Sequence, residues 1–175
     1  DNYGDIGSNA VDLSYSDSES TTKGATGDWS TAMGDNTTAT GDWSTAMGYF
    51  TTASGGSSTA MGYYTTASDY GSLVIGQFNS SGSSATSASS ATTFNTANTA
   101  FVIGNGTSAT ASDAFKVMFN GDTYVSSSLY LGGTKITSTA AELNLLDGAT
   151  SLGTGILSPV IEGSNTGVRL STAVA

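Results

Sequence analysis

Residues 27–68 read GDWSTAMGDNTTATGDWSTAMGYFTTASGGSSTAMGYYTTAS, in which nearly the same fourteen residues occur three times in succession. The triplet Ala-Met-Gly begins at Ala32, Ala46 and Ala60, and Val74-Ile75-Gly76 follows at the same spacing. A finer period of seven is also present in the alanines, at Ala25, Ala32, Ala39, Ala46, Ala53, Ala60 and Ala67. Self-similarity at a fixed period is typical of proteins built from stacked repeats.

Each fourteen-residue unit is predicted to form one coil of a β-solenoid. Seven residues are too few for a pair of helices, and the Ala-x-Gly triplets are poor helix formers. The residues between the triplets include Ser, Thr, Trp, Tyr and Phe, which favour extended backbone or turns. We therefore expect an all-β chain with two short strands in each coil, hydrogen-bonded to the strands of the next coil.

Strand alternation sorts the side chains of each coil into an inner and an outer set. Ala32 and Gly34 share a face that suits only a narrow interior, so Met33 is expected to point outwards. An exposed apolar stripe of this kind usually marks an interface, and three chains packed around a common axis would bury it. The alternative is a wider monomeric solenoid with the methionines inside. The residues predicted at the trimer interface are Met33, Met47, Met61, Ile75, Ile103, Leu143 and Leu146.

The Ala-x-Gly heptads and the sequences TAMG, LVIG and FVIG resemble the YadA-like head of trimeric autotransporter adhesins. The resemblance covers residues 25–111. It implies a left-handed parallel β-roll with 14-residue coils, a homotrimer and a role in adhesion.

Three segments are expected along the chain. Residues 1–22 are a lead-in, residues 23–112 form the β-roll, and residues 113–175 form a neck-like β segment. Within the roll, residues 80–99 are rich in Ser and Thr, and Val74 and Val102 are 28 positions apart, twice the coil length. Both a loop and two degenerate coils fit this spacing; the loop is favoured because Ser89 replaces an apolar residue.

The C-terminal segment is predicted to be a short β-meander followed by one helix. Asn120-Gly121 is a strong signal for a tight turn between two strands. Thr139 and Glu142 form a capping box, which predicts a short helix near residues 139–147. Leu143 and Leu146 would lie on one face of that helix, towards the three-fold axis. Residues 136–150, which contain the sequence TAAELNLLDG at positions 139–148, resemble a segment common in bacteriophage tail fibres.

Charge and composition exclude several classes of function. The chain carries 4 Lys+Arg against 14 Asp+Glu, a net charge of −10, whereas nucleic acids and anionic membranes require a basic surface. Cysteine and histidine are absent, which excludes disulfides, thiolate zinc sites and an imidazole base. Asp28 and Asp42 recur with the repeat, and we interpret them as a solvated edge. We therefore expect the chain to have no enzymatic activity, no cofactor and no metal site.

Aromatic residues recur at equivalent positions of successive coils, about 4.8 Å apart. Their rings are expected to form ladders near the turns, either as packing at the coil edges or as platforms for sugar faces, and packing is favoured. The residues of this possible glycan-binding surface are Trp29, Trp43, Tyr49, Phe50, Tyr63 and Tyr64. The doublets Thr37-Thr38, Thr51-Thr52 and Thr65-Thr66 also stack, which makes an ice-binding solenoid a minor alternative.

These patterns predict a structural and attachment protein. We expect a segment of a homotrimeric fibre that presents a rigid β-roll to a cell-surface glycan or another surface receptor. Its location would be extracellular, on a bacterial cell surface or in a virion tail fibre. The alternative function is a saccharide-binding module that uses the aromatic ladders.

Overall fold

The computed structural model describes residues 4–80 and 90–140. The fourteen elements bounded within these ranges are all strands, which agrees with the predicted all-β class. In chain order they are β1 (Val11–Tyr15), β2 (Gly24–Ala25), β3 (Thr31–Asp35), β4 (Thr38–Ala39), β5 (Thr45–Tyr49), β6 (Thr52–Ala53), β7 (Thr59–Tyr63), β8 (Thr66–Ala67), β9 (Leu73–Gln77), β10 (Thr99–Asn105), β11 (Asp113–Met118), β12 (Thr123–Val125), β13 (Tyr130–Leu131) and β14 (Thr134–Lys135).

The strands of the repeat alternate between two parallel sheets. The long strands form one sheet in the order β1-β3-β5-β7-β9-β10, extended by β11 and β12, and the two-residue strands form a second sheet in the order β2-β4-β6-β8. Strands pair in register with the same strand one coil later, so that Ala32 faces Ala46 and Ala46 faces Ala60. The predicted β-roll is confirmed, with one long and one short strand in each fourteen-residue coil.

The interior of the roll is as narrow as the repeat predicts. Its fully buried apolar residues come from both sheets and are Ala25, Ala32, Ala39, Ala46, Ala53, Ala60, Ala67, Val74 and Val102. Serine and threonine complete the interior next to the turns; Ser44 and Thr51, for example, are almost entirely buried. Side chains this small bury little apolar area, so the backbone hydrogen bonds between coils must contribute much of the stability of the roll.

Both turns of each coil contain a residue in the left-handed backbone region. These residues recur every seven positions, with φ between 39° and 59°: Trp29, Asn36, Trp43, Phe50, Ser57, Tyr64 and Phe78. Gly71 continues the series with φ 72°. Bulky residues rarely adopt this conformation, and its recurrence shows that the coil geometry imposes it.

The C-terminal end of the roll changes from parallel to antiparallel pairing, as the expected β-meander requires. β11 pairs antiparallel with β10, and β12 pairs antiparallel with β11 across the turn at Asn120-Gly121. β13 and β14 form a separate hairpin. Residues 141–175 lie outside the described ranges, and with them most of the predicted helix near 139–147 and the residues Leu143 and Leu146.

The long sheet extends beyond the segment expected for the roll at both ends. β1 lies in the expected lead-in but pairs with β3 in the same parallel register as the coils, and β11 follows residue 112 without leaving the sheet. β9 pairs directly with β10, so no other strand lies between them in the long sheet.

Candidate functional site

A continuous row of apolar side chains crosses the outer face of the long sheet. Strand pairing aligns the members of this apolar row, which are Leu13, Met33, Met47, Met61, Ile75 and Ile103. Leu13 is 63% exposed and Met61 is 41% exposed, whereas the alanines beside the methionines are completely buried. The row lies on the outside because Met33 alternates with the buried Ala32 along the strand.

Five predicted trimer-interface residues therefore lie in one row. Leu13 was missed because it lies in the expected lead-in, where the fourteen-residue period is broken. Its signal was the alternation Val11, Leu13, Tyr15, which places three apolar side chains on one face of a strand. All three are at least 49% exposed, which widens the apolar face at the N-terminal end of the sheet.

The short sheet presents a polar outer face. Thr38, Thr52 and Thr66 are partly exposed there, one from each coil. Their doublet partners Thr37, Thr51 and Thr65 are completely buried instead. The doublets therefore do not form the flat threonine array that an ice-binding surface needs.

The turns that lead from the long to the short sheet carry a cluster of stacked rings, which we call the Tyr edge. Tyr49 stacks on Tyr63 with ring centres 5.1 Å apart, and Phe50 stacks on Tyr64 at 4.8 Å. Phe78 extends the second ladder at 4.9 Å from Tyr64. The two ladders also meet edge to face, at 4.7 Å between Tyr49 and Phe50. Such mutual contacts are typical of packing.

Charged groups border the Tyr edge at its N-terminal end. Lys23 Nζ lies 5.7 Å from the ring centre of Phe50 and 3.7 Å from an oxygen of Asp17. Partial burial raises the pKa of the Tyr49 phenol, and the neighbouring phenols of Tyr64 and Tyr63, followed by the carboxylates of Asp35 and Asp17, raise it further. The cause is that a phenolate here would lose hydration and add negative charge beside acidic groups.

Trp29 and Trp43 lie on the opposite edge of the roll. They belong to the turns that lead from the short to the long sheet, before β3 and β5, and we call this the Trp edge. The six predicted aromatic residues thus do not form one surface, since Tyr49, Phe50, Tyr63 and Tyr64 lie on the Tyr edge. The tyrosine and phenylalanine rings stack in ladders as the sequence predicts, whereas Trp29 and Trp43, on the other edge, do not stack on each other.

The indole rings of the Trp edge remain open to solvent. Trp29 is 57% exposed and Trp43 is 61% exposed. Within the described residues, no ring contact involves either tryptophan. Their backbone is hydrogen-bonded to the preceding coil, since the Trp43 N–H donates to the Asp28 carbonyl at 2.8 Å.

Asp28 and Asp42 are exposed on the Trp edge, and their carboxylates also accept hydrogen bonds from the backbone. Asp42 Oδ1 accepts a hydrogen bond from the Asp28 backbone N–H at 3.1 Å, and Asp28 Oδ1 accepts one from the Ser8 N–H at 2.9 Å. Each carboxylate therefore links its turn to the preceding coil. Both residues are exposed, as the predicted solvated edge requires, but the sequence pattern did not predict these hydrogen bonds.

A shallow groove of about 520 Å³ lies where the roll meets the antiparallel strands. Lys116 and Tyr124 line it, with the ammonium 4.9 Å from the ring centre. Across residues 4–80 and 90–140, no group of three potential metal-ligating side chains occurs. The same ranges contain no helix long and apolar enough to span a membrane.

The repeats match a known family. Residues 25–51 and residues 53–79 each match the YadA head domain repeat, and together these two copies contain the strands from β3 to β9 except for Thr52 of β6. The matched residues make up less than a third of the chain. No curated protein and no solved structure matches the chain. The central β-roll thus carries two YadA head domain repeats, in agreement with the resemblance of its TAMG and LVIG sequences.

Proposed function

We propose that this chain is a non-enzymatic attachment protein, a segment of a homotrimeric fibre that presents a rigid β-roll on a bacterial cell surface. The observation that carries the proposal is the exposed apolar row on a roll built from YadA head repeats. Adhesin heads of this kind form trimers.

The distribution of apolar groups supports self-association. The interior of the roll holds alanines and two valines, whereas the larger side chains of the apolar row stand outside. Burial is worth about 0.8 kcal/mol for each CH₂ group, and Met, Leu and Ile side chains are larger than Ala. Contact between the apolar rows of three chains would therefore bury more apolar area per coil than the alanine interior does. The polar short sheet would then face solvent.

A trimer also provides a mechanism for attachment without a deep pocket. Three identical surfaces on one rigid rod engage a receptor layer together, and each later contact forms at a high effective concentration. Weak contacts thereby add up to firm adhesion. The expected partner is a cell-surface receptor. A place in a virion tail fibre rests on residues 136–150, most of which lie outside the described ranges.

The test is the oligomeric state of two variants that introduce the same charge on opposite faces. Met47→Asp places a carboxylate in the apolar row, and Thr52→Asp places one on the polar face a few residues away. Light scattering should give the mass of three chains for the parent and for Thr52→Asp, and a dissociated or unfolded chain for Met47→Asp. A stable monomeric parent would overturn the proposal.

A saccharide-binding module is the second candidate function, favoured by the exposed indole rings of Trp29 and Trp43. Flat aromatic rings beside carboxylates provide stacking and hydrogen-bond acceptors for sugars. Binding of isolated neutral oligosaccharides that disappears on Trp29→Ala plus Trp43→Ala would support this function over pure scaffolding.

A further inference from the structure

We infer that the Trp edge binds a cationic protein segment, whose lysine or arginine side chains lie on the indole rings of Trp29 and Trp43 beside Asp28 and Asp42. This inference deepens the attachment function proposed above and rests on it. It names the contact surface and the chemistry of the partner.

The fold does not require tryptophan at these positions. Ser57 and Gly71 occupy the same turn position in the next two coils, with φ of 56° and 72°. The hydrogen bond made by the Trp43 N–H recurs there, because Ser57 N–H donates to the Asp42 carbonyl at 2.8 Å. A small residue therefore builds the same turn, and the two indoles have no structural role that the coil depends on.

The conformation of the tryptophans is costly for side chains that pack so little. Trp29 has φ 59° and Trp43 has φ 56°, and a left-handed residue with a Cβ is strained. More than half of each side chain is exposed. The rings of the Tyr edge are also left-handed in part, but they stack on one another and so gain packing. Among residues 4–80 and 90–140, only the Trp edge combines strain with open rings, which is typical of a binding surface.

Charge selects the partner. Asp28 and Asp42 each use Oδ1 for a backbone hydrogen bond, and within the described residues Oδ2 of each has no hydrogen bond to the protein. The described cations lie elsewhere: Lys23 borders the Tyr edge, Lys116 lies over Tyr124, and Lys135 lies in the hairpin of β13 and β14. Together with a net charge of −10, this arrangement attracts cations and repels anionic polymers. Tryptophan is also the best aromatic partner for a cation.

Fluorescence offers a direct measurement, because the chain contains two tryptophans and both lie on the Trp edge. Titration with hexalysine should change the indole emission to saturation, and the affinity should fall as salt is raised. Hexaglutamate and chitohexaose, an anionic peptide and a neutral oligosaccharide, should leave the emission unchanged. No emission change with hexalysine at low salt would overturn the inference.

Two double variants separate the indoles from the charges, with hexalysine binding measured by calorimetry. Trp29→Ser plus Trp43→Ser copies the coil that carries Ser57, so it should fold and bind about tenfold more weakly. Asp28→Asn plus Asp42→Asn keeps an acceptor for the backbone N–H groups but removes both charges, and it should also weaken binding.

The matched control is Asp17→Asn plus Asp35→Asn, which removes two charges beside the Tyr edge, on the opposite side of the roll, and should bind like the parent. Equal affinity of the tryptophan variant and the parent would show that hexalysine follows net charge alone, which contradicts the inference. Chitohexaose binding that survives Asp28→Asn plus Asp42→Asn, without hexalysine binding, would assign the edge to saccharides instead. Either result leaves the Met47→Asp test of the fibre unaffected, so the two proposals fail separately.

Discussion

Single glycines of the repeat are the points where neighbouring coils come closest. A Cβ on Gly48 would lie 2.1 Å from the carbonyl oxygen of Gly62 in the next coil, and Gly48 has φ 128°. Gly34 and Gly62 meet the following coil in the same way. Both backbone conformation and space therefore require glycine, which explains why the period of the sequence is so strict.

Gly48→Ala is expected to destabilise the chain by more than about 3 kcal/mol, because the added methyl collides with backbone that cannot move without breaking a ladder. Gly121→Ala is the matched control, since Gly121 has φ 94° but nothing within 4 Å of a Cβ. That change should cost only the conformational strain, about 1–2 kcal/mol. Urea unfolding compares the two; equal costs would show that close contact between coils is unimportant.

Polar side chains replace a missing strand where the short sheet ends. Asn79 Oδ1 accepts from the Thr66 N–H at 2.8 Å, and its Nδ2 donates to the Thr66 carbonyl at 2.9 Å. The side-chain amide thus pairs with β8 as the next strand would. A second polar side chain holds the start of β10 in the long sheet, where Asp69 Oδ2 accepts from the Thr99 N–H at 2.7 Å. Asp69 occupies the position that Gly27, Gly41 and Gly55 hold in the preceding coils.

Asn79→Ala should destabilise the roll by about 2 kcal/mol or more, because two backbone groups of Thr66 lose their partner beside a buried site. Gln77→Ala, which removes one hydrogen bond from an exposed side chain to the Gly106 carbonyl, should cost less than about 1 kcal/mol. Thermal unfolding of the two variants provides the comparison. A smaller loss for Asn79→Ala than for Gln77→Ala would contradict this account of how the sheet ends.

The whole roll has two different ends. β11 and β12 cover the strand edge of β10, whereas β1 is the edge strand at the other end of the long sheet. In a stack where each coil contacts only its neighbours, stability is approximately a sum over adjacent pairs. The inner coils are then the most stable, and the uncovered end is the least stable.

Native-state hydrogen exchange should reveal this asymmetry. We expect the slowest exchange in the strand amides of β5 and β7, intermediate rates in β10, and the fastest rates among long strands in β1, because local opening starts at an uncovered end. Exchange at one common rate throughout the long sheet would contradict this expectation and indicate that the roll opens only as a unit.

The sequence by itself determined the coil. The period of fourteen predicted two strands per coil, the alanines predicted a narrow interior, and Met33 was assigned to the outside by alternation, as it lies in the structure. Asn120-Gly121 likewise predicted the antiparallel turn between β11 and β12. These features follow from short-range geometry, in which each residue relates to its neighbours or to the same position one period later.

Only the tertiary structure decided which repeated residues share a surface. It added Leu13 to the apolar row, because strand pairing joins β1 to β3 without a sequence repeat. It separated Trp29 and Trp43 from the tyrosine ladders, because alternate turns lie on opposite edges of the two sheets. It also assigned the carboxylate of Asp69 to the Thr99 N–H, across a long stretch of chain. Contacts of this kind do not recur with the period of the sequence, because they join residues that are neighbours in space but not at equivalent positions of the repeat.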